Sequence, residues 1–336
     1  MTVDPLLVET ALRIHAAHPV DDDERWSAAL WRDLADAGLT AVGIPEAAGG
    51  AGGTVADAAE LVRISGYCAA RVPLAETLLV AGPALVAAGL PAPQGPIAVA
   101  PTPGELRASR HGSGWRLSGE ARGVAWASVA GHLAAVADGG DGGPVLVVAP
   151  LDRATIRPGH NLAGEPRDTV QVDDLGAAGA PVAPREWRLR GALARALQLA
   201  GALERALDLT VRHAKERVQF GRPIIRFQAV GHLVAQLGEA AAQARMAAEV
   251  AALSGTPDDA VVAKIVAGEA ATRGAAMAHQ VHGAMGTTRE CALHLYTRRL
   301  WAWREEFGGE REWAGLLGDD LRGRGGDGVW SLITAS

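Results

Sequence analysis

Residues 216–228 read ERVQFGRPIIRFQ, and residues 279–290 read HQVHGAMGTTRE. Each stretch closes a long Ala-rich helical pattern with more cationic, amide and aromatic equipment than a helix stop needs. Arg217 supplies a guanidinium suited to a pyrophosphate, and Gln219, Gln228 and Gln280 supply amides that both donate and accept. Phe220 offers an aromatic face, and Gly283 permits close backbone approach. An anionic, aromatic cofactor needs this set of groups. Helix caps inside a bundle account for the same residues about equally well, because glycine-terminated helices are common.

Other chemistry is thin. The loop PEAAGGAGG (45–53) lacks the βαβ context of a dinucleotide fingerprint and reads as a flexible loop. His279 and His282 have no Glu-x-x-His companions, so they read as partly exposed histidines and no metal is expected. No Ser or Cys sits in a nucleophile elbow. Cys68 and Cys291 are in no metal-ligand spacing and fit a reducing compartment.

The elements that must position the two stretches fall into three parts. Residues 1–92 read as helical, with an acidic start at 21–24, a stop at Gly38, a candidate N-cap at Thr54 and helical material over 72–90. Residues 93–186 alternate short apolar runs (96–101, 114–119, 132–137, 143–150, 168–175) with Gly, Pro and Asp, the signature of a small β-domain. Residues 187–336 are helical again. Leu193, Leu197, Ala200, Leu203, Leu207 and Val211 form an apolar stripe, with Arg195, Gln198, Arg205 and Asp208 elsewhere on the wheel. Further helices are expected at about 228–253, 256–282 and 290–304. Thr256 is a candidate cap for the second of these, with Pro257 at its first position.

Composition bounds the partners. Hydrophobic residues make up 49% of the 336 and charged residues 21%, as in a globular protein. The net charge of −6 argues against a nucleic-acid or anionic-membrane partner. With no signal-like segment and no apolar run of spanning length, a cytoplasmic location is expected.

The pattern R-V-Q-F-G-R-P-I-x-x-F-Q, with Q-V-H-G-A-M-G-T-T-R-E some sixty residues on, resembles two hallmark stretches of the acyl-CoA dehydrogenase family. W-R-D-L-A-D-A-G-L-T-A-V-G-I-P-E-A-A-G-G-A-G-G (31–53), G-W-R-L-S-G-E-A-R-G-V (114–124) and L-H-L-Y-T-R-R (293–299) extend the resemblance over almost the whole chain. It implies a mainly α fold: an N-terminal helical domain, a β-barrel-like middle domain and a C-terminal four-helix bundle that also forms the oligomer contact. It further implies FAD, held by Arg217, Gln219, Phe220 and Gln228, with Gln280, Gly283 and Ala284 serving a neighbouring subunit's cofactor. The implied reaction is α,β-dehydrogenation of an acyl-CoA thioester, with electrons passing to an electron-transfer flavoprotein.

The chain departs from the family where the chemistry is done. The position of the usual catalytic glutamate falls on Phe307, and the alternative base position on Gly191, with Ala192 at the adjacent arginine position. Abstraction of the α-proton needs a carboxylate in direct reach. Glu305 and Glu306 flank the expected place and are the candidate bases, although both read more readily as a solvated pair at a helix end. A-P-T-P-G (100–104) stands where a flavin-contacting stretch is expected, and Ala284 replaces the second glycine of a Gly-Gly pair. A short chain with these changes resembles one subunit type of the heteromeric actinobacterial enzymes of steroid side-chain degradation. Expected partners are therefore an acyl-CoA, and either copies of itself or a full-length family paralogue in a heterotetramer. The rival readings are a non-catalytic scaffold subunit and a flavin monooxygenase on the same fold.

Overall fold

The computed structural model describes residues 3–102 and 105–334, so Pro103 and Gly104 of the A-P-T-P-G stretch lie outside the described residues. The N-terminal part holds α1 (Pro5–Ala17), α2 (Ala28–Asp36), α3 (Val55–Tyr67) and α4 (Gly82–Ala87). Thr54 and Asp57 form a reciprocal capping box at the start of α3. The acidic residues at 21–24 do not begin a helix. Asp22 is drawn away instead into ion pairs with Arg71, His294 and Arg298, and α2 starts after Ser27. The glycine-rich loop is tied down rather than free: Gly43 donates to Gly52 O at 2.7 Å and Gly52 to Ile44 O at 2.9 Å. A Cβ on Gly50 would lie 2.1 Å from Ile44 O, so packing accounts for that glycine. The apolar run over 72–90 breaks into a wide π-type turn, Glu76–Ala81, before α4.

The middle part contains β1 (Ile97–Val99), β2 (Arg107–His111), β3 (Gly114–Ala125), β4 (His132–Asp138), β5 (Pro144–Pro150), β6 (Thr155–Arg157) and β7 (Arg167–Pro181). β3 pairs with β2 and β7, β7 with β5, β5 with β4, and β4 with β2, so the sheet closes on itself. Leu117, Leu133, Val147 and Val170 fill its interior. β2 and β6 escape a hydrophobicity reading because most of their residues face solvent.

The C-terminal part is the bundle: α5 (Pro184–Glu216), α6 (Gln228–Ser254), α7 (Pro257–His282) and α8 (Leu293–Glu305), followed by α9 (Glu310–Thr334), which is interrupted at Gly325. Thr256 caps α7 by accepting from Asp259 N–H, as expected. α5 is the axis of the molecule, covered by the N-terminal helices on one side and the bundle on the other. α3 and α5 touch backbone to backbone: a Cβ on Gly201 would lie 2.0 Å from Arg63 O, and one on Gly66 2.2 Å from Gln198 O. That double cover reverses the expectation for two polar residues of the wheel. Arg195 and Gln198 are 1% and 3% exposed, turned inward rather than to water. Among the described residues no helix is long and apolar enough to cross a membrane.

Candidate active site

The three parts meet at a buried cluster of alternating charges. Arg195 of α5 donates to Glu76 of the π-type turn at 2.5 Å, to Gln198 Oε1 at 2.5 Å and, through Nε, to Glu306 at 2.7 Å. Arg167 of β7 grips the same carboxylate twice, at 2.8 and 2.9 Å, and Asn161 Nδ2 adds a bond at 3.1 Å. Glu165 accepts from Arg299 of α8 at 3.0 Å, from the Trp303 indole at 2.8 Å and from Asn161 at 3.0 Å. Three carboxylates face three guanidiniums, so the charges balance across the junction.

Glu306, a candidate base, therefore lies in a clamp. Burial alone would raise its pKa, but the Arg167 and Arg195 guanidiniums and their hydrogen bonds hold it at about 2. A carboxylate so stabilised as the anion is a poor proton acceptor. Glu305 is the opposite case: its side chain is 66% exposed and pairs with Arg304 at 3.2 Å. The expectation of a solvated pair thus holds for Glu305 and fails for Glu306.

The next residue closes the space between the two expected base positions. Phe307 is buried, with φ at 58°, a conformation costly for an aromatic residue. A Cβ built on Gly191 would lie 2.0 Å from Phe307 Cδ1, so the ring rests directly on the glycine backbone. Trp313 Nε1 donates to Phe307 O at 3.0 Å. Lys264 Nζ donates to the carbonyls of Trp303 at 3.4 Å and Arg304 at 2.5 Å, finishing α8 just before the plug. Burial lowers the Lys264 pKa to about 8, with Glu306 and Glu310 opposing the shift. Because the unfolded lysine holds its proton up to about pH 10.4, the unfolded state binds more protons between about pH 8 and 10.4, and stability rises with pH there. Melting temperatures of the wild-type chain should accordingly gain on those of Lys264→Met across that window; parallel curves would contradict this placement.

The proposed cofactor residues occupy a different corner. The stop after α5 is a tight hairpin, β8 (Val218–Gln219) and β9 (Arg222–Pro223), turned by Phe220 and Gly221 with φ of 52° and 78°. Phe220 is 91% exposed at the tip, braced edge-on by Phe227 at 6.0 Å. The Arg217, Gln219, Gln228 and Gln280 side chains are exposed, and none has a hydrogen-bond partner among the described residues. Gly283, with φ at 59° and open space where a Cβ would go, ends α7, and Ala284 is exposed beside it. The last turns of α5, just before the first stretch, meet the second through a stack of His213 on His282, ring centroids 4.5 Å apart. His282 is buried and bonded to Ala278 O at 2.8 Å, not partly exposed as its sequence context suggests. Cationic and amide groups without hydrogen-bond partners among the described residues thus surround a bare aromatic ring, a set of groups suited to an anionic, aromatic ligand. Arg217 lies roughly 30 Å along α5 from Arg195, so this corner and the ion cluster cannot act on one reacting centre. Among the described residues no group of acidic, His and Cys side chains could hold a metal ion.

The ion cluster had one legible signal. Glu76 is a lone carboxylate in the apolar run VPLAETLLVAGPALVAAGL, and a buried charge demands a partner. Glu165, Arg167 and Arg299 carry no such mark in the sequence.

Comparison with known proteins adds the lineage. Residues 7–93 match the model of the acyl-CoA dehydrogenase N-terminal domain, and residues 188–312 that of the C-terminal domain. The chain is 34% identical over 278 residues to the acyl-CoA dehydrogenase IpdE2 of Mycobacterium tuberculosis, covering 82% of this chain and 81% of that protein. The solved Tcur3481-Tcur3483 steroid ACAD superposes with a TM-score of 0.82 at 29% identity, over 94% of this chain and 96% of that one. The ChsE4-ChsE5 complex of Mycobacterium tuberculosis gives a TM-score of 0.87 at 24% identity, over 96% and 98%.

Proposed function

Because the chain belongs to the acyl-CoA dehydrogenase family, we propose that it is one subunit of a heteromeric, FAD-dependent acyl-CoA dehydrogenase whose proton-abstracting carboxylate is supplied by a partner subunit. The observation that carries this reading is the contact of Phe307 with Gly191. Both expected base positions are occupied by groups that cannot accept a proton, and they close on each other. Glu306, the residue before Phe307, is held by Arg167 of the β-domain and by Arg195 of α5. FAD would supply the hydride acceptor, and Arg217, Gln219 and Phe220 are the residues that would hold it at the hairpin. Gln228, Gln280, Gly283 and Ala284 complete that surface. The two-component names of the structural neighbours support a paired assembly for this chain. An electron-transfer flavoprotein is the natural acceptor for the reduced cofactor.

Co-purification with a full-length family paralogue tests the assignment. The pair should elute together with bound flavin, and Arg217→Ala should weaken flavin retention on the order of tenfold, the worth of one charge-assisted contact. A colourless pair, or retention unchanged by Arg217→Ala, would remove the basis for this surface.

A further inference from the structure

Away from both regions, the N-terminal part, α5 and the α6–α7 junction form a half-open cavity of about 470 Å³. Val55, Leu79, Leu189 and Leu193 line it, and Val55 is 53% exposed at the rim. That volume lies within the range of small-molecule sites, which are mostly apolar with a few oriented polar groups. The polar group here is Arg190, one helical turn after Glu186, which also lines the cavity.

Arg190 differs from the other guanidiniums of the interior. Arg63 pairs with Glu60 and Glu204, Arg71 with Asp22, Arg167 and Arg195 with Glu306, and Arg299 with Glu165. Arg190 is half-buried and makes no hydrogen bond or ion pair among the described residues. Burial lowers its pKa, and Glu186 offsets this only through space. A guanidinium keeps its charge in proteins, so a partly desolvated one with no direct partner among the described residues is satisfied best by an incoming anion.

We infer that this cavity binds an amphipathic monoanion, an aliphatic carboxylate whose head pairs with Arg190 and whose chain lies against Leu79, Leu189 and Leu193. Head and tail must be adjacent, because the guanidinium stands directly at the apolar wall. A free carboxylate meets that requirement. The phosphates of a CoA thioester are separated from the acyl chain by a long polar arm and do not.

Calorimetric titration of the full chain with decanoate, decanol and decanoyl-CoA tests the inference. Decanoate should bind saturably, and decanol at least tenfold more weakly, the difference expected for one charge-assisted pair. Arg190→Met should lose the same factor for decanoate while melting like the wild type, and Arg190→Lys should retain part of the affinity. Should Arg190→Met prove unstable, Leu193→Trp, which fills the cavity, must block decanoate instead. Equal binding of decanol and decanoate, indifference to Arg190→Met in a folded protein, or binding of decanoyl-CoA alone would each overturn the assignment.

Discussion

Arg195→Met lowers the stability of the chain by about 3–5 kcal/mol, the usual result of removing one partner from a buried ion pair. Arg195 ties the N-terminal part to the bundle, touching Glu76, Gln198 and Glu306, and shares Glu306 with Arg167 of the β-domain. Glu76 is 1% exposed, and one of its oxygens already lacks a partner. Without Arg195 it must either sit uncompensated or take up a proton, and both cost free energy. Methionine fills much of the space, so the loss reports the charge more than a void. The double variant Arg195→Met with Glu76→Gln should recover part of the stability, since it no longer strands a carboxylate. Chemical denaturation of the single and double variants measures this. Additive losses would show that Glu76 is not the group left stranded.

Glu306→Gln is expected to cost about 3 kcal/mol at neutral pH, because Arg167 and Arg195 then share a neutral amide in place of an anion. Its pH dependence identifies the cause. The folded pKa of about 2 lies below the value of about 4.3 for an unperturbed glutamate. The stabilisation is therefore complete above about pH 4.3 and is lost as pH falls toward 2, where the folded carboxylate finally protonates. Wild-type protein should lose stability along this acid limb, and Glu306→Gln should show a shallower one. Identical acid limbs in denaturation experiments would contradict the clamp.

The sequence made the scaffold legible and the junction opaque. α5, α6 and α7 are long and carry sustained helical periodicity, and the Thr256–Pro257 start is a local signal, so their bounds emerge within a few residues. The two hallmark stretches likewise mark their own helix ends. β2 is hidden because RASRH turns most of its residues to water, and the start of α2 is misplaced because Asp22 is claimed by three side chains distant in sequence. The ion cluster is least visible of all. Glu76, Glu165, Arg195 and Glu306 come from separate stretches of chain, and no helical wheel can show that α5 is covered on both sides. Glu305 and Glu306 are neighbours of the same type with opposite fates, decided by which one faces Arg167.

Steady-state and rapid-mixing reduction of the flavin by acyl-CoA in the assembled complex tests the central claim, that this chain carries no catalytic base. Wild-type complex is compared with complexes bearing Glu305→Gln or Glu306→Gln, at a temperature where each is folded. The rate of flavin bleaching should stay within about threefold of wild type for both variants, whereas a group acting as general base contributes on the order of 10²–10⁴-fold. A loss of that size in either variant, with the complex and its flavin content intact, would place the base on this chain and contradict the account.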